Sequence, residues 1–421
     1  MIETLTLFPG VTLRCYQDTR FKQGRLSLQL VRPMIREEAA MNALLPTVLL
    51  RGTQKHPDLR SITMHLDDLY GASVGDMVRR IGDYQTTGFY CGFTDDRFAL
   101  SGDRIFERVV DFLRELLLEP ALENGVFRSE FVRSEKKNLM ADMDAQKNDK
   151  SAYAARQLMK TMCSADSFSI PRLGEKEQLA DVTEESLYRH YRMLLSESHI
   201  EIFYVGSENA EQVASLLRPV FADIPRNYQP LLPQTPFRDA GPCHTREEMD
   251  IAQSRLCMGF VTDVTNQSPE FATLQVFNTL FGGGMTSKLF MNVREKMSLC
   301  YSIGSGGYGS KGMITVMAGI DADKETIARE EILRQLQACK DGDISQLELT
   351  AAKEAVLSGL RAVMDSPGAI EGYFATAALS GIAMDIDRYR SAVAETTLED
   401  VVAVANRVTY HSDFFLKGVG Q

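Results

Sequence analysis

The chain has 421 residues, of which 44% are hydrophobic and 24% are charged, and its formal net charge is −11. This length and composition predict two ordinary globular domains, each with its own core. The acidic balance argues against nucleic-acid binding, which requires a basic stripe that the sequence lacks. Seven widely spaced cysteines without a C-x-x-C pair predict reduced thiols in a cytoplasmic protein.

No stretch of the chain predicts a secretory signal or a membrane span. The first residues lack a basic region followed by a long apolar core, as a signal peptide would have. The most apolar early stretch, residues 41–50, is about half the length that a membrane helix requires, and it contains Pro46. Neither a membrane nor a nucleic acid is therefore expected as a partner.

In the first half of the chain, predicted strands and helices are grouped rather than strictly alternating. A helix precedes Gly52, and further on a strand over 89–96 ends in an acidic turn. A capped helix from Thr183 then leads into an apolar strand that ends in Val-Gly. That strand covers residues 199–206, and the remaining elements of this half are helices over 104–118 and 127–147.

The second half repeats this order after a proline-rich stretch, residues 225–244, which predicts a linker. A capped helix from Thr397 again leads into a strand ending in Val-Gly, 214 residues after its counterpart at Thr183. The pattern predicts an α+β fold used twice, each copy a mainly antiparallel sheet covered by helices. The predicted segments are an N-terminal domain over 1–224, the linker over 225–244 and a C-terminal domain over 245–421.

The most informative segment, residues 280–303, reads LFGGGMTSKLFMNVREKMSLCYSI. Its three consecutive glycines, Gly282, Gly283 and Gly284, permit a tight turn with exposed backbone. The run does not have the G-x-x-x-x-G-K-[ST] spacing of a phosphate loop, so nucleotide binding is not expected. A helix is predicted from about residue 286, with Leu289, Phe290 and Val293 on its buried side. Arg294 and Tyr301 lie seven positions apart, across the end of this helix.

This segment closely resembles the C-terminal domain of peptidases of the M16 (insulinase/pitrilysin) family. That family reads Gly-Gly, Ser-Arg/Lys-Leu-Phe, Arg-Glu-Lys and Tyr-Ser in order, and its arginine and tyrosine hydrogen-bond the peptide and stabilise the tetrahedral intermediate. The resemblance implies that Arg294 and Tyr301 are catalytic residues. It implies that the same two residues, with Gly282, Gly283 and Gly284, bind the substrate. Taken singly, Arg294 would be a surface charge and Tyr301 a half-buried strand residue.

The resemblance also implies a zinc motif, H-x-x-E-H, on the helix before Gly52, but its three positions read Ala43, Pro46 and Thr47. Neither alanine nor proline offers a zinc ligand. The resemblance maps a third ligand onto Glu135 and Asp142, of which Glu135 fits and Asp142 is one methylene short, and a solvated helix face explains the pair better. The sequence therefore predicts no metal site and no cofactor in this chain, with zinc expected only in a partner subunit.

The six histidines supply no other zinc motif, and there is no G-x-S-x-G nucleophile turn. The resemblance therefore implies a bacterial non-catalytic subunit that pairs with a homologous zinc-bearing M16 chain and acts on peptide or unfolded polypeptide. By itself the chain is not expected to be an enzyme. Three alternatives stay open: a structural protein of the same fold, a homodimeric peptide-binding or chaperone module, and a peptidase with an unrecognised site.

Overall fold

The computed structural model describes residues 2–382 and 385–420. In chain order, the strands are β1 (Ile2–Phe8), β2 (Val11–Gln17), β3 (Gln23–Pro33), β4 (Ser73–Ile81), β5 (Tyr84–Thr94), β6 (Leu122–Glu123), β7 (Val126–Phe127), β8 (His199–Gly206), β9 (His244–Met249), β10 (Ser254–Val261), β11 (Cys300–Tyr308), β12 (Met313–Ile320) and β13 (Thr409–Gly418).

The α-helices are interspersed between these strands, and one further helix, Leu289–Lys296, is a π-helix. They are α1 (Arg36–Leu49), α2 (Leu59–Asp68), α3 (Ile105–Leu118), α4 (Ser129–Ala145), α5 (Lys150–Met162), α6 (Lys176–Ala180), α7 (Glu184–Glu197), α8 (Ala210–Phe221), α9 (Phe271–Phe281), α10 (Glu325–Lys340), α11 (Gln346–Val363), α12 (Pro367–Ser380), α13 (Ile386–Glu395) and α14 (Leu398–Asn406).

The two large sheets have the same strand order, which confirms the predicted α+β duplication. The first sheet is ordered β1-β2-β8-β3-β5-β4, and the second is ordered β9-β13-β10-β12-β11 when it is taken in the same sense. Neighbouring strands are antiparallel except for one parallel pair in each sheet, β2 with β8 and β9 with β13. These parallel pairs occupy equivalent places in the two strand orders. Among the described strands, the first sheet therefore differs from the second only by the additional edge strand β1.

The predicted helix starts before the last strand of each repeat are also confirmed. The Thr183 hydroxyl accepts a hydrogen bond from the Ser186 backbone and so caps α7. Thr397 caps α14 in the same way, through Asp400. Each capping box satisfies N–H groups that would otherwise lack a partner in the first helical turn. The proline-rich residues 225–243 form neither helix nor strand, and β9 begins at His244.

The chain forms two compact units, which are interleaved across the predicted linear boundaries. Unit 1 comprises Met1–Asp144, Ile170–Pro233 and Met364–Thr376, whereas unit 2 comprises Ala145–Ser169, Gln234–Val363 and Ala377–Gln421. Each repeat thus gives a helical stretch to the unit built mainly from the other repeat. A linear reading of the sequence does not register such an exchange, because the composition of these helices is ordinary.

Burial explains both exchanged stretches. In unit 2, apolar residues of α5, among them Leu158 and Met162, pack in one core with Cys257 of β10 and Phe414 of β13. In unit 1, the buried carboxylate of Glu371 accepts hydrogen bonds from Ser27 at 2.8 Å and from Gln29 at 3.1 Å. The Arg79 guanidinium contacts the same carboxylate through two hydrogen bonds, at 3.0 and 2.8 Å.

Candidate functional site

In unit 1, α1 carries the positions where the resemblance implies a zinc motif. Ala43 and Pro46 are buried, and the Thr47 hydroxyl donates to the Leu44 carbonyl at 2.8 Å. A methyl group and a pyrrolidine ring have no lone pair for a metal, and the remaining hydroxyl is used within the helix. None of the three side chains is therefore a suitable zinc ligand.

The proline in α1 is accommodated by a specific polar contact. Proline has no N–H to donate to the carbonyl four residues earlier, which here belongs to Asn42. The Thr87 hydroxyl of β5 donates to that carbonyl at 2.5 Å instead. The Asn42 amide group donates to Gln85 at 2.8 Å, and its oxygen lies 2.7 Å from Nε2 of His190. The interior around the former motif is thus a filled hydrogen-bonded network.

His190 belongs to this network as a neutral group. Burial lowers its pKa from 6.5 to about 4, and the nearby charges of Glu38 and Arg32 act on it in opposite directions. A neutral imidazole has one donor and one acceptor nitrogen, so its Nε2–H can donate to the Asn42 amide oxygen without the ring carrying charge. The histidine is a structural member of the core.

The expected third ligand is already engaged by a protein cation. Glu135 on α4 is buried, and its carboxylate lies 3.3 Å from the Arg51 guanidinium and 3.1 Å from the Asn138 amide nitrogen. Asp142 is exposed on the same helix. The residues present do not fit a zinc ion, because one carboxylate paired with arginine is the only anionic donor that the implied set retains.

Nor do other side chains form a metal site elsewhere in the described part of the chain. No group of three or more histidine, cysteine, aspartate or glutamate residues is arranged to hold a metal ion there. His65, which the sequence places near Asp68, instead stacks against His56 with ring centroids 4.5 Å apart. His56 in turn contacts the buried Glu115 through Nδ1 at 2.7 Å. His65 on α2 also packs against Phe112 of α3, with ring centroids 5.0 Å apart.

In unit 2, the glycine-rich segment follows α9 directly and bonds to β11. The Gly282 carbonyl accepts a hydrogen bond from the Ser305 backbone N–H at 2.9 Å. A Cβ atom on Gly282 would lie 2.7 Å from Ser305 Oγ and 2.8 Å from a Leu289 methyl carbon. On Gly283 it would lie 2.8 Å from the Thr279 Cα, whereas on Gly284 it would meet nothing within 4 Å. Gly282 and Gly283 are thus needed for close packing, and Gly284 is not.

The helix that carries Arg294 begins later than predicted and has a different geometry. It is the π-helix Leu289–Lys296, in which Leu289 and Val293 are buried as predicted. Phe290 is only half-buried, contrary to the prediction, and the Arg294 guanidinium lies over its ring at 4.5 Å from the centroid. The guanidinium also contacts Glu295 at 3.2 Å, and the Arg294 side chain remains 38% exposed.

Tyr301 lies at an irregular point of an edge strand. The β11–β12 register shifts between Cys300 and Ser302, so Tyr301 is the extra residue of a β-bulge. Its side chain is 66% exposed. Since β11 is the last strand in the sheet order, β12 is its only strand partner among the described residues.

Backbone hydrogen bonds bring the arginine and the tyrosine to the same end of β11. The N–H groups of Ser298 and Leu299 donate to the carbonyls of Arg294 and Val293, each at 3.0 Å. Ser298 reverses the chain with a φ of 52°, in the left-handed region. The π-helix therefore closes directly onto the start of β11. The buried thiol of Cys300, next to Tyr301, has its pKa raised to about 11 by burial and is not a nucleophile at neutral pH.

Comparison with known proteins agrees with this geometry. Residues 181–356 match the model of the peptidase M16 inactive domain. The probable inactive metalloprotease YmfF of Bacillus subtilis is 29% identical over 409 residues, which are 97% of this chain and 96% of that protein. The uncharacterized zinc protease YmxG of the same organism is 26% identical over 215 residues, 50% of this chain and 51% of that protein.

Two solved structures share the fold over its whole length. A conserved protein from Enterococcus faecalis has a TM-score of 0.91 and 27% identity, covering 100% of this chain and 99% of its own. A peptidase M16 inactive domain from Pseudomonas fluorescens has a TM-score of 0.82 and 16% identity with the same coverage. The chain thus resembles proteins of the peptidase M16 family in fold and over nearly its whole length, and one of these relatives is described as a probable inactive metalloprotease. None of the described helices has the length and apolar character to cross a membrane.

Proposed function

We propose that this chain is the non-catalytic subunit of a two-chain M16-type metallopeptidase, whose homologous partner bears the zinc. In this role the chain binds the peptide and contributes Arg294 and Tyr301 to the reaction in trans. The main support for this proposal is a contrast between two places in the chain. The motif positions on α1 offer no suitable metal ligand, whereas an arginine and a tyrosine at the end of β11 are accessible. Hydrolysis itself belongs to the partner, since this chain has no suitable ligand set.

The chemistry of the pair suits a developing negative charge on a peptide carbonyl oxygen. The Arg294 guanidinium presents a planar fork of N–H donors, and the Tyr301 hydroxyl adds one more. Such donors stabilise an oxyanion best in a site that excludes water. Both side chains retain solvent exposure in this chain alone, so a partner or a substrate has room to cover them.

The position of the pair on an edge strand supports polypeptide as the substrate. An extended peptide binds an exposed sheet edge by adding one strand, which places few demands on its sequence. No described strand pairs with the outer side of β11, where the Gly282 carbonyl accepts from the Ser305 N–H, and its glycines Gly304 and Gly306 carry no side chain to cover the backbone. The neighbouring Gly282, Gly283 and Gly284 would bring further backbone close to such a peptide.

The expected location is the cytoplasm, because all seven cysteines are free thiols. The relatives are consistent with a paired system, since Bacillus subtilis carries both a probable inactive metalloprotease and an uncharacterized zinc protease that match this chain. The main alternative is a structural or peptide-binding protein of the same fold without a role in proteolysis.

The test mixes the purified chain with each H-x-x-E-H-bearing M16 chain of its own organism, loaded with zinc. Size-exclusion chromatography measures assembly, and a quenched fluorescent peptide library measures cleavage. We expect one of these chains to form a stoichiometric complex, with cleavage that neither chain shows alone. A complex without cleavage would favour the structural alternative. Cleavage by the isolated chain, or the absence of any complex, would overturn the proposal.

A further inference from the structure

An aromatic ring lies beneath the arginine of the proposed site. The central carbon of the Arg294 guanidinium is 4.5 Å from the centre of the Phe290 ring, and Phe290 itself is half-buried. A cation within about 6 Å of a ring centroid is attracted by the negative charge that lies over the face of the ring. Phe290 is therefore close enough to hold the charged end of Arg294 in one place.

The π-helix brings these two side chains together and keeps the ring in position. Helical side chains point back toward the start of the helix, and residues four apart are neighbours, so Arg294 reaches over Phe290. Leu289 and Val293, each adjacent in the chain to one member of the pair, are fully buried and anchor the helix. At its start, the Phe290 N–H donates to the Ser287 hydroxyl at 3.3 Å. The ring is thus carried by a fixed piece of backbone.

The two contacts of the guanidinium differ in what they leave free. Glu295 lies 3.2 Å from Arg294, and its side chain is 50% exposed. A carboxylate competes for the same N–H donors that a substrate oxygen would use, and such an exposed ion pair holds its partners only weakly. A phenyl ring instead attracts the cation as a whole and has no oxygen to accept from its N–H groups. The ring can therefore orient Arg294 without occupying its donors.

We infer that Phe290 is a positioning residue for Arg294, which it holds so that the guanidinium donors are ready for the peptide oxygen. The inference rests on the proposed function, in which Arg294 stabilises the charge that develops on that oxygen. Donors that are already oriented need no reordering at the moment of reaction, and this is the source of their catalytic effect. Since Phe290 acts through Arg294, losing the ring should lower the rate of the chemical step and leave ground-state binding of the peptide nearly unchanged.

The test measures kcat and KM for peptide cleavage by the complex of this chain with the zinc-bearing partner that activates it. We expect Phe290→Leu to lower kcat roughly threefold to thirtyfold, the range for losing a cation–π contact, with KM within about twofold. Phe290→Met should do the same and replaces the leucine variant if that does not fold. Phe290→Tyr keeps the ring and should keep nearly full turnover. Phe237→Leu changes a half-buried phenylalanine that contacts His411, and as the matched control it should leave kcat unchanged.

Repeating the comparison in the Arg294→Ala background separates this inference from the proposed function. With the guanidinium removed, Phe290→Leu should cause no further loss of kcat, because residues that act as a unit are not additive. An equal loss with and without Arg294 would assign the ring a structural role and overturn the inference, while the proposed role of Arg294 would stand. Unchanged kcat in Phe290→Leu alone would also overturn it. Full turnover in Arg294→Ala alone would contradict the proposed function, and the inference with it. Circular dichroism and size-exclusion chromatography establish that each variant is folded and assembled.

Discussion

Equivalent places in the two repeats have opposite characters. α1 follows β3 in the first sheet, and α9 follows β10 in the second, at the same position in the strand order. The inner face of α1 is closed by Ala43, Pro46 and the hydrogen bonds of Asn42. Beyond α9, the chain instead leaves backbone, arginine and tyrosine accessible. The same fold thus supports a sealed core in one copy and an open polar surface in the other.

The proposed absence of a metal half-site in the first repeat fits this packing. Protein atoms satisfy the polar groups there: Arg51 pairs with Glu135, and Thr87 donates to the Asn42 carbonyl that Pro46 leaves without an N–H. Unpaired buried polar groups are expensive, so such contacts are what a stable fold without metal requires. In unit 2, Arg294 contacts Glu295 and Phe290 but stays partly exposed, as does Tyr301, which is what the proposed role requires.

The largest expected effect is on turnover and concerns Arg294 and Tyr301 in the second repeat. In an active mixture with a zinc-bearing partner, Arg294→Ala or Tyr301→Phe should each lower turnover by roughly 10²–10³, since each removes one donor to the developing oxyanion. Arg294→Lys should also be poor, because a point charge does not replace the planar fork. Steady-state peptide cleavage measures this, with assembly checked in parallel. Arg361→Ala, an exposed arginine on α11, is the control and should retain full turnover.

Restoring the zinc-motif residues on α1 should not be enough to restore zinc binding. The variant A43H/P46E/T47H should not bind zinc at micromolar concentration, because the Arg51 guanidinium occupies the remaining carboxylate. Adding Arg51→Leu to that variant should tighten zinc binding by roughly ten- to a hundredfold, the usual size of an effect next to metal ligands. Competition with a chromogenic chelator provides the affinities. Equal zinc affinity with and without Arg51 would show that the ion pair is not the obstacle.

Gly282 and Gly284 in the second repeat allow the packing of the glycine-rich segment to be tested by comparing two variants. Gly282→Ala should destabilise the protein by about 1–3 kcal/mol, because the new methyl group clashes with Ser305 and Leu289. Gly284→Ala meets nothing within 4 Å and should change stability by less than about 0.5 kcal/mol. Urea unfolding of the two variants measures the difference. Equal destabilisation by both substitutions would contradict the packing described for Gly282.

Mild acid should lower the stability of the protein through protonation of His190 in the first repeat. Its pKa of about 4 in the folded state lies below the ordinary 6.5, so the unfolded chain binds a proton first as the pH falls. Stability should therefore be unaffected above about pH 6.5 and decline between there and pH 4, by about 2 kcal/mol at pH 5. His190→Gln should remove this part of the decline, measured as the shift of the urea midpoint between pH 7 and pH 5. An unchanged pH dependence would show that His190 titrates normally.

Much of the fold could be predicted because its signals are local. The capping threonines Thr183 and Thr397 and the strands after them appear in the sequence as short, regular patterns. The exchange of residues 145–169 and 364–376 between the units could not be predicted, because it depends on distant partners. The buried Glu371 illustrates the difficulty: a carboxylate in a helix normally predicts an exposed face, and only its contacts with Arg79, Ser27 and Gln29 explain its burial.

The candidate site was predictable to a similar extent. The glycines and the spacing of Arg294 and Tyr301 are visible in the sequence, but the π-helix and the bulge that join them are not. Both depend on how the chain closes through Ser298, a non-glycine residue in the left-handed region. Arg51 was missed as the partner of Glu135, although its position just after the motif helix and the absence of zinc ligands could have indicated a compensating cation.

The central claim is that the working part of this chain lies in the second repeat and acts only with a partner. The most direct test is the double variant R294A/Y301F, assembled with the zinc-bearing chain that activates the wild type. The account predicts an intact complex and unchanged unfolding behaviour, together with peptide cleavage reduced at least as far as in the single variants. Full cleavage by a complex containing the double variant would contradict the account, because the pair would then be a relic on a structural scaffold.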